Sequence, residues 1–357
     1  EYYAIRTTAA LIDVSPLFKY EIRGKDALKF VDRIITRDAA KCAAGQALYT
    51  CLCDEEAKVI QDGTVFRLEE DLFRMQLAEP SIRWFQLSAM GLDVKVEDLS
   101  ERVAAVALQG PASRLILAQV AGSGVERLKF FRLTSGKVGS VPALISRMFF
   151  KQETGYEIWV GSSFAEELWD TLMEAGKPFG IMPAGMLALD MARLEASFVL
   201  IEVDYTSSEK ALIPSQKYSP FEIGLGWTVS FEKEDFVGRK ALLEAREKGS
   251  RRGLVGLEVD WEDYERLYLE AGLAPEVPNP AWRGGIPIYA GGKQVGRATT
   301  GGWSPALKKY IALGTVESGC AEIGTPLMME VTVEHTRKKA KARVVKRPFF
   351  DPPRKRS

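Results

Sequence analysis

A loop-rich segment near the middle of the chain carries side chains suited to chemistry. The stretch DYTSSEKALIPSQKYSPFEIGLGWTV, residues 204–229, contains Tyr205, Glu222 and Trp227. A tyrosine, with an unperturbed pKa of about 10, can donate a proton to a leaving group of similar basicity. A carboxylate accepts hydrogen bonds from amine and ring N–H donors. Side chains of these types could supply a proton to a reaction and bind the N–H groups of a ligand.

Histidine and cysteine offer little alternative chemistry. His335 is the single histidine, so a histidine-based triad or a histidine-rich metal site is hard to build. Cys51 and Cys53 alternate in the strand-like run YTCLCDEE, and this spacing predicts reduced structural thiols rather than metal ligands. We predict no metal site. The chemistry must run on Tyr, Glu, Asp, Arg and a bound cofactor.

The charge balance favours small-molecule partners. The 48 basic and 48 acidic residues cancel, which leaves no net field to attract nucleic acid or a membrane surface. The basic tail KRPFFDPPRKRS is predicted to be a solvated C-terminus rather than a nucleic-acid patch. Neither an apolar run of about 18 residues nor a signal-peptide pattern is recognisable, so a cytoplasmic protein is expected.

The 357 residues of the chain exceed the size of one typical core. The sequence pattern differs between the first and the last part of the chain. The first 150 residues alternate strand-like runs with amphipathic helical runs, which predicts an α+β fold. After about residue 250, short β-branched runs separated by glycines predict a small antiparallel barrel or sandwich, with YAGGKQVG as its clearest hairpin. We predict an α+β body over residues 1–250 and a β domain over residues 251–357.

An ordered succession of motifs spans nearly the whole chain. In order, these are the opening LIDVSPLFKYEIRGKDALKF, then VALQGPAS, TGYEIWV, LALDMARLEASFVLIEVDY, SPFEIGLGWTV, DFVGRKAL, RRGLVGLE and VGRATTGGWSPALKKYIALG. Together they resemble the glycine-cleavage T-protein (aminomethyltransferase) superfamily of tetrahydrofolate-binding proteins. The resemblance implies a three-domain ring in which two interwoven α+β domains and a C-terminal antiparallel β-barrel surround a central hole that holds tetrahydrofolate.

The resemblance also implies roles for single residues. Glu222 matches the acid that hydrogen-bonds the pterin, and Arg252 matches an arginine near the folate, with Arg251 as the alternative. Arg193 and Glu195 are expected to form a structural ion pair at the base of the site. Aromatic walls of the cavity are implied at Tyr156, Trp227, Trp303 and Tyr49.

One departure from the family pattern concerns the reaction. Aminomethyltransferases carry an N-A-x3–4-K-D-like sequence after the second sheet strand, and its aspartate sits beside the reacting folate nitrogen. The equivalent stretch here, MQLAEPSIRWFQLSAM, places Trp84 at the aspartate position with Arg83 beside it. Arginine and an aromatic residue suit an anionic substrate. We therefore assign Arg83, Trp84 and Tyr49 to substrate binding.

This departure leads us to predict a tetrahydrofolate-dependent O- or S-demethylase, which moves a methyl group from a small anionic donor to N5 of tetrahydrofolate. Tyr205 would protonate the leaving group, and a lipoyl carrier partner would be unlikely. Two alternatives stay open. The first is a glycine-cleavage-type aminomethyltransferase, and the second is a folate-binding protein without transfer chemistry, although its K-G-C-Y-x-G-Q-E motif is not found.

Overall fold

The structure is a computed structural model that describes residues 1–122, 124–148 and 154–352. The chain forms two compact units. The first, here called the sheet unit, comprises the described parts of residues 1–185 and 228–241, together with Pro352. The second, the barrel unit, comprises residues 186–227 and 242–351. The loop from Asp204 to Trp227 thus belongs to the barrel unit, and the predicted domain boundary at residue 250 stays a prediction.

Helices and strands of the sheet unit follow each other in chain order as α1 (Tyr2–Thr7), β1 (Ala9–Asp13), β2 (Phe18–Arg23), α2 (Ala27–Ile34), β3 (Gln46–Cys53), β4 (Val59–Glu69), β5 (Leu72–Leu77), α3 (Ile82–Ser88), β6 (Lys95–Asp98), β7 (Val103–Gln109), α4 (Ser113–Ala121), β8 (Arg132–Val138), β9 (Val141–Arg147), β10 (Gly155–Gly161), α5 (Ala165–Gly176) and β11 (Ile181–Pro183). One of the strand-like runs of the first 150 residues, VFRLEEDLFRMQLAE, forms the two strands β4 and β5 instead of a single strand, because the chain turns at Glu70 and Asp71.

The strands of this unit form one 11-stranded sheet in the order β11-β1-β7-β10-β9-β8-β3-β4-β5-β2-β6. It consists of two half-sheets, β11 to β8 and β3 to β6, which are joined between β3 and β8 by the single pair Gln46 and Arg132. Helices α4 and α5 pack on the outer face of the first half-sheet, and α2 and α3 on that of the second.

The inner faces of the two half-sheets lie against each other. The rings of Phe66 on β4 and Trp159 on β10 are 4.4 Å apart, and the Arg74 guanidinium on β5 lies 5.3 Å from the Trp159 ring. Strand β10 is consequently buried on both sides along Gly155–Val160 instead of alternating between core and solvent. The interior between the half-sheets is called the inner layer below.

The barrel unit contains helices and strands of the C-terminal part of the chain: α6 (Met186–Ala196), most of α7 (Arg239–Lys248), β12 (Arg252–Val259), α8 (Trp261–Leu269), β13 (Trp282–Ala290), β14 (Lys293–Ser304), β15 (Lys309–Glu317), β16 (Pro326–Val333) and β17 (Thr336–Val345). The six strands close into an antiparallel barrel in the order β12-β15-β14-β13-β16-β17.

Alternation in the sequence explains the barrel. On β17, Ala340, Ala342 and Val344 point into the core, while Lys341 and Arg343 between them are exposed. Gly291 and Gly292 link β13 to β14 with φ of +54° and +84°, a conformation that favours glycine in two-residue hairpins. The α+β fold with a closed antiparallel C-terminal barrel confirms the predicted fold class.

Two further predictions concern the chain end and membranes. In the predicted solvated tail, the Phe350 amide donates to the Glu195 carbonyl, so the tail is held as far as this residue. Residues 353–357 lie outside the described residues. Among the helices of the described ranges, none is long and apolar enough to cross a membrane.

Candidate functional site

Polar side chains accumulate in the inner layer, on one face of three neighbouring strands. Glu157 on β10 is the register partner of Ser146 on β9, and Gln109 on β7 is the partner of Gly155. Residues two apart in a strand share a face, so Gln109, Ser146 and Glu157 lie side by side. Each of the three is only 1% exposed. The sequence therefore places a carboxylate, an amide and a hydroxyl together in a buried interior.

Two of these three buried side chains lack hydrogen-bond partners among the described residues. Within the described ranges, Gln109 Oε1 and Nε2 and Ser146 Oγ have none. Glu157 Oε2 accepts one long bond of 3.4 Å, from Trp159 Nε1. A buried polar group without a partner destabilises a fold by about 1–3 kcal/mol, and such groups are rare in native proteins. Their concentration in one place makes the inner layer a candidate site for a polar ligand.

A glycine gives the Gln109 amide its room. A side chain at Gly155 would place a Cβ 2.1 Å from Gln109 Oε1. The amide therefore lies flat across the strand at this residue.

Burial controls the charges in the inner layer. Desolvation raises the pKa of the Glu157 carboxyl to about 7, while the Trp159 hydrogen bond and the positive charge of Lys19 act in the opposite direction. Desolvation also lowers the pKa of Lys19, whose Nζ donates to the Ser15 carbonyl at 2.7 Å and the Leu17 carbonyl at 2.8 Å. Glu157 is thus a buried carboxyl that changes its charge near neutral pH.

A second acid lines the half-sheet opposite. Tyr49 on β3 donates its hydroxyl proton to Asp62 Oδ2 on β4, and both residues are half-buried. Burial, followed by the negative charge of Asp62, raises the pKa of Tyr49 well above its usual range. The phenol therefore stays protonated and holds the carboxylate in a fixed orientation. Gln76 on β5, whose Nε2 has no partner among the described residues, lies on the same face.

The predicted substrate residues Arg83 and Trp84 begin helix α3. Gln61 fixes this helix start, because its Nε2 donates to Ser81 Oγ at 2.5 Å and to the Glu79 carbonyl at 3.3 Å. Trp84 is half-buried against the core beneath α3, with its ring 5.6 Å from that of Phe85. Arg83 is exposed. The structure does not bring these two side chains together.

In the barrel unit, the two predicted folate residues Glu222 and Arg252 contact each other directly. Arg252 Nε donates to Glu222 Oε1 at 3.1 Å, and Glu222 Oε2 accepts the Ser219 amide at 2.8 Å. Arg252 also donates to the carbonyls of Ser215 and Lys217. Its neighbour Arg251 is exposed, so Arg252 is the arginine that points inward.

Tyr218 is held between two arginines. The Arg252 guanidinium lies 3.6 Å from the centre of its ring, and Arg297 Nη2 donates to its hydroxyl at 2.9 Å. Together with the Glu222 pair, these contacts fasten residues 215–222 to the start of β12. All three guanidinium nitrogens of Arg252 donate to protein acceptors, so this side chain holds the loop in place.

Tyr205 is 1% exposed and follows a buried aspartate. Asp204 accepts Arg193 Nη1 at 2.7 Å, Thr299 Oγ1 at 2.6 Å and Thr300 Oγ1 at 2.9 Å. The expected ion pair between Arg193 and Glu195 is wrong, because Arg193 pairs with Asp190 and Asp204 instead. Glu195 accepts the Ser304 hydroxyl. Asp204 thus anchors the loop on which Tyr205 lies.

The three remaining predicted aromatic residues lie in different surroundings. Tyr156 is fully buried on β10, on the face opposite Glu157, within the core beneath α4 and α5. Trp303 is half-buried in the barrel unit with its ring 4.7 Å from that of Trp261, edge to face. Trp227 is 60% exposed. Their assignment to folate binding stays a prediction.

Sequence reasoning missed the residues of the inner layer, although one signal was present. In TGYEIWV, Glu157 is the single charged residue in an otherwise apolar and aromatic strand, a pattern typical of a buried acid. Gln109 and Ser146 carried no such signal, because their convergence depends on how β7 and β9 pair with β10. Asp62 became visible only through its register beside Tyr49.

Comparisons with known proteins cover both units. The GCVT N-terminal domain matches residues 1–233, and the glycine cleavage T-protein C-terminal barrel domain matches residues 270–351. An aminomethyltransferase of Bacillus pumilus (strain SAFR-032) is 34% identical over 98% of this chain and 89% of its own. One of Bacillus subtilis (strain 168) is 33% identical over 98% and 90%.

A solved structure agrees with these relatives. The crystal structure of glycine cleavage system aminomethyltransferase T from Bartonella henselae has a TM-score of 0.82 and 26% identity, and the match covers 98% of this chain and 88% of that one.

The fold and these matches define an enzyme of one-carbon transfer that uses tetrahydrofolate. The chain belongs to the glycine-cleavage T-protein family.

The prediction of a demethylase is wrong, because relatives that match nearly the whole chain at more than 30% identity are aminomethyltransferases. It rested on one position, residue 84. The physical reason is that a carboxylate need not come from that position. Trp84 packs against the core, while the inner layer holds the acids Glu157 and Asp62 on other strands.

Proposed function

We propose that this chain is a glycine-cleavage-type aminomethyltransferase, which transfers a one-carbon group from an aminomethylated lipoyl carrier to tetrahydrofolate. The observation that carries the proposal is the buried cluster of Gln109, Ser146 and Glu157 in the inner layer. Among the described residues, the Gln109 amide and the Ser146 hydroxyl of this cluster have no hydrogen-bond partner. The relatives' activity supports the reaction class, since aminomethyltransferases match the chain from end to end. The lipoyl carrier replaces the small methyl donor that we first predicted.

The chemistry of the cluster fits the polar edge of a pterin. That edge presents an amino group and a ring N–H as donors and a carbonyl oxygen as acceptor. The Glu157 carboxylate can accept the two donors side by side, and Gln109 can both donate and accept. Tetrahydrofolate, when bound, supplies the amine nitrogen that receives the one-carbon group. The role of these side chains is to bind and orient the ring.

The ionisation of Glu157 matters for this binding. A carboxylate that accepts two N–H donors must be charged, and charge-assisted hydrogen bonds are about twice as strong as neutral ones. Because the pKa of Glu157 is about 7, half of the free protein carries the charge near neutral pH. We expect the affinity for a tetrahydrofolate analogue to fall about tenfold for each pH unit below this value.

Aminomethyl transfer develops positive charge on the transferred group, which a nearby carboxylate stabilises. We assign this role to Asp62, because the Tyr49 hydroxyl holds its carboxylate in place and both residues are partly open to solvent. This assignment supplies the acid that residue 84 lacks.

The other predicted residues keep limited roles. Glu222 stays a predicted folate contact, and Arg252 orients it through their hydrogen bond. Tyr205 as a general acid belonged to the methyl leaving group and is not part of this proposal. Roles for Arg83, Trp84, Tyr156, Trp227 and Trp303 in ligand binding stay predictions.

The test is a turnover assay with an aminomethylated lipoyl carrier and tetrahydrofolate, in which released ammonia and methylene-tetrahydrofolate are measured. We expect turnover by the natural chain, and a loss of about 10²- to 10³-fold in kcat for Asp62→Asn. Glu166→Gln, a change at an exposed acid, is the matched control and should keep full activity.

One result would contradict the proposed activity, and another would contradict only the role of Asp62. Tetrahydrofolate binding without any turnover would identify a folate-binding protein without transfer chemistry. Full turnover by Asp62→Asn would remove Asp62 from the reaction and leave the proposed activity intact.

A further inference from the structure

Arg347 in the barrel unit is a half-buried arginine just after strand β17. Its side chain crosses two glycines. A Cβ at Gly256 on β12 would lie 2.8 Å from Arg347 Cγ, and one at Gly224 would lie 3.1 Å from Nη2 and 3.4 Å from Nη1. Gly224 has a φ of +72°, which favours glycine. The guanidinium therefore lies directly against the backbone of Gly224, with no side chain between them.

No counter-charge accompanies this cation. Over the described ranges, the Arg347 guanidinium has neither a hydrogen-bond acceptor nor an ion-pair partner, and burial lowers its pKa with no charged group to offset the effect. Other buried arginines are paired: Arg193 with Asp190 and Asp204, and Arg252 with Glu222. The Arg347 nitrogens keep some contact with solvent and have no protein acceptor among the described residues, so they are open to a ligand. The arrangement differs from that of a structural ion pair, in which a carboxylate occupies the guanidinium.

The surroundings restrict the kind of ligand. Leu254 Cδ2 lies 3.4 Å from the Cβ position of Gly224, and the Phe349 ring lies 2.9 Å from that of Gly256. The guanidinium thus has an apolar wall on one side and bare backbone on the other. A guanidinium fork matches the two oxygens of a carboxylate, and an apolar body attached to that carboxylate would pack on the wall.

We propose that Arg347 binds the carboxylate of a small-molecule ligand. The carboxylate has two possible sources, the glutamate tail of tetrahydrofolate and a separate small organic acid. The first source rests on the proposed function, whereas the second does not. Gly224 lies two residues after Glu222, so the turn that carries the predicted folate acid also forms the floor of this site.

The test measures binding by calorimetry for the natural chain, Arg347→Gln, Arg347→Lys and Arg343→Gln. Arg343 is the matched control, because it is an exposed arginine on the same strand end that pairs with Glu258 Oε1 at 2.6 Å. Three probes are used: 5-formyl-tetrahydrofolate, its analogue with a neutral methylamide in place of the glutamate, and benzoate.

If the glutamate tail is the ligand, Arg347→Gln weakens binding of 5-formyl-tetrahydrofolate by about 10- to 100-fold and leaves the methylamide analogue unchanged. If a separate acid is the ligand, benzoate binds the natural chain and not Arg347→Gln, while both folate probes are unaffected. Arg347→Lys should restore only part of the affinity, since an ammonium cannot bind bidentately.

Equal binding of all three probes to the natural chain and Arg347→Gln would overturn the proposal. So would an effect of Arg343→Gln as large as that of Arg347→Gln. Melting temperatures monitor folding, and Arg347→Gln should not lower them, because the Arg347 guanidinium donates to no protein acceptor in the described ranges. If the natural chain bound neither folate probe, the proposed function would fail, and the benzoate measurements would still decide the role of Arg347.

Discussion

Replacing Glu157 by glutamine should make the protein more stable at alkaline pH and less able to bind folate. An ordinary glutamate has a pKa of 4.5, and burial raises that of Glu157 to about 7. Between these values the unfolded chain is ionised at this residue and the folded chain is protonated, so the free energy of unfolding falls as pH rises. The difference corresponds to about 3 kcal/mol, which is present below pH 4.5 and lost above pH 7.

Glutamine has the same shape and no charge, so Glu157→Gln should lack this loss. Urea unfolding at pH 5, 6, 7 and 8 would measure it. We expect the variant to gain stability relative to the natural chain as pH rises, by up to about 3 kcal/mol at pH 8. Glu166→Gln, at an exposed position, should follow the natural chain.

Ligand binding should change in the opposite direction. Glutamine presents one acceptor and one donor where the pterin edge needs two acceptors, so calorimetry with 5-formyl-tetrahydrofolate should show a loss of about 1.5–3 kcal/mol. A stability difference that does not vary with pH would refute the buried ionisation of Glu157. Unchanged folate affinity in a folded Glu157→Gln variant would refute its place in the site.

Three other sites give independent tests. Asp204→Asn should destabilise the chain by about 3–5 kcal/mol in urea unfolding, because it removes one of the carboxylates that pair with buried Arg193. A loss of stability no larger than that caused by Asp170→Asn, at an exposed aspartate, would contradict this. Arg252→Met and Glu222→Gln should each weaken folate binding, and their double-mutant cycle should show coupling of about 1 kcal/mol or more; additive effects would separate the two residues. Burial lowers the pKa of Lys233 to about 8, so the folded chain loses the Lys233 proton at a lower pH than the unfolded chain does. The natural chain should therefore gain stability relative to Lys233→Met as pH rises from 8 to 10.5. A stability difference that stays constant over this pH range would exclude the lowered pKa of Lys233.

The sequence predicted those parts of the molecule that local patterns determine. Short β-branched runs after residue 250 indicated antiparallel strands, and the glycine pair at residues 291 and 292 indicated a hairpin. The motif TGYEIWV indicated a strand but not its surroundings, because burial of both faces depends on the half-sheet that packs against it. Gln109 and Ser146 meet Glu157 only through strand pairing, which one sequence does not specify.

The reaction class shows a different limit. Trp84 was interpreted as the residue that decides the chemistry, because its position corresponds to a reacting aspartate in the family. A single position constrains function less than the whole arrangement does, since a carboxylate on another strand can stabilise the same positive charge on the transferred group. The interior location of Asp62 and Glu157 could not be derived from their spacing along the chain.

The path of the chain through the sheet unit has a consequence for how the protein folds. Strand β1 belongs to one half-sheet and β2 to the other, and the chain returns to the first half-sheet only at β7. Closing a loop by pairing β1 directly with β7 carries an entropic penalty that grows with the length of chain between them. Once residues 18–98 have folded, the Lys19 carbonyl accepts the Leu99 amide at 2.8 Å and the two chain ends are already adjacent. We expect amides of β2 to β5 to become protected in pulsed hydrogen exchange before those of β1 and β7, and the inner layer to form last.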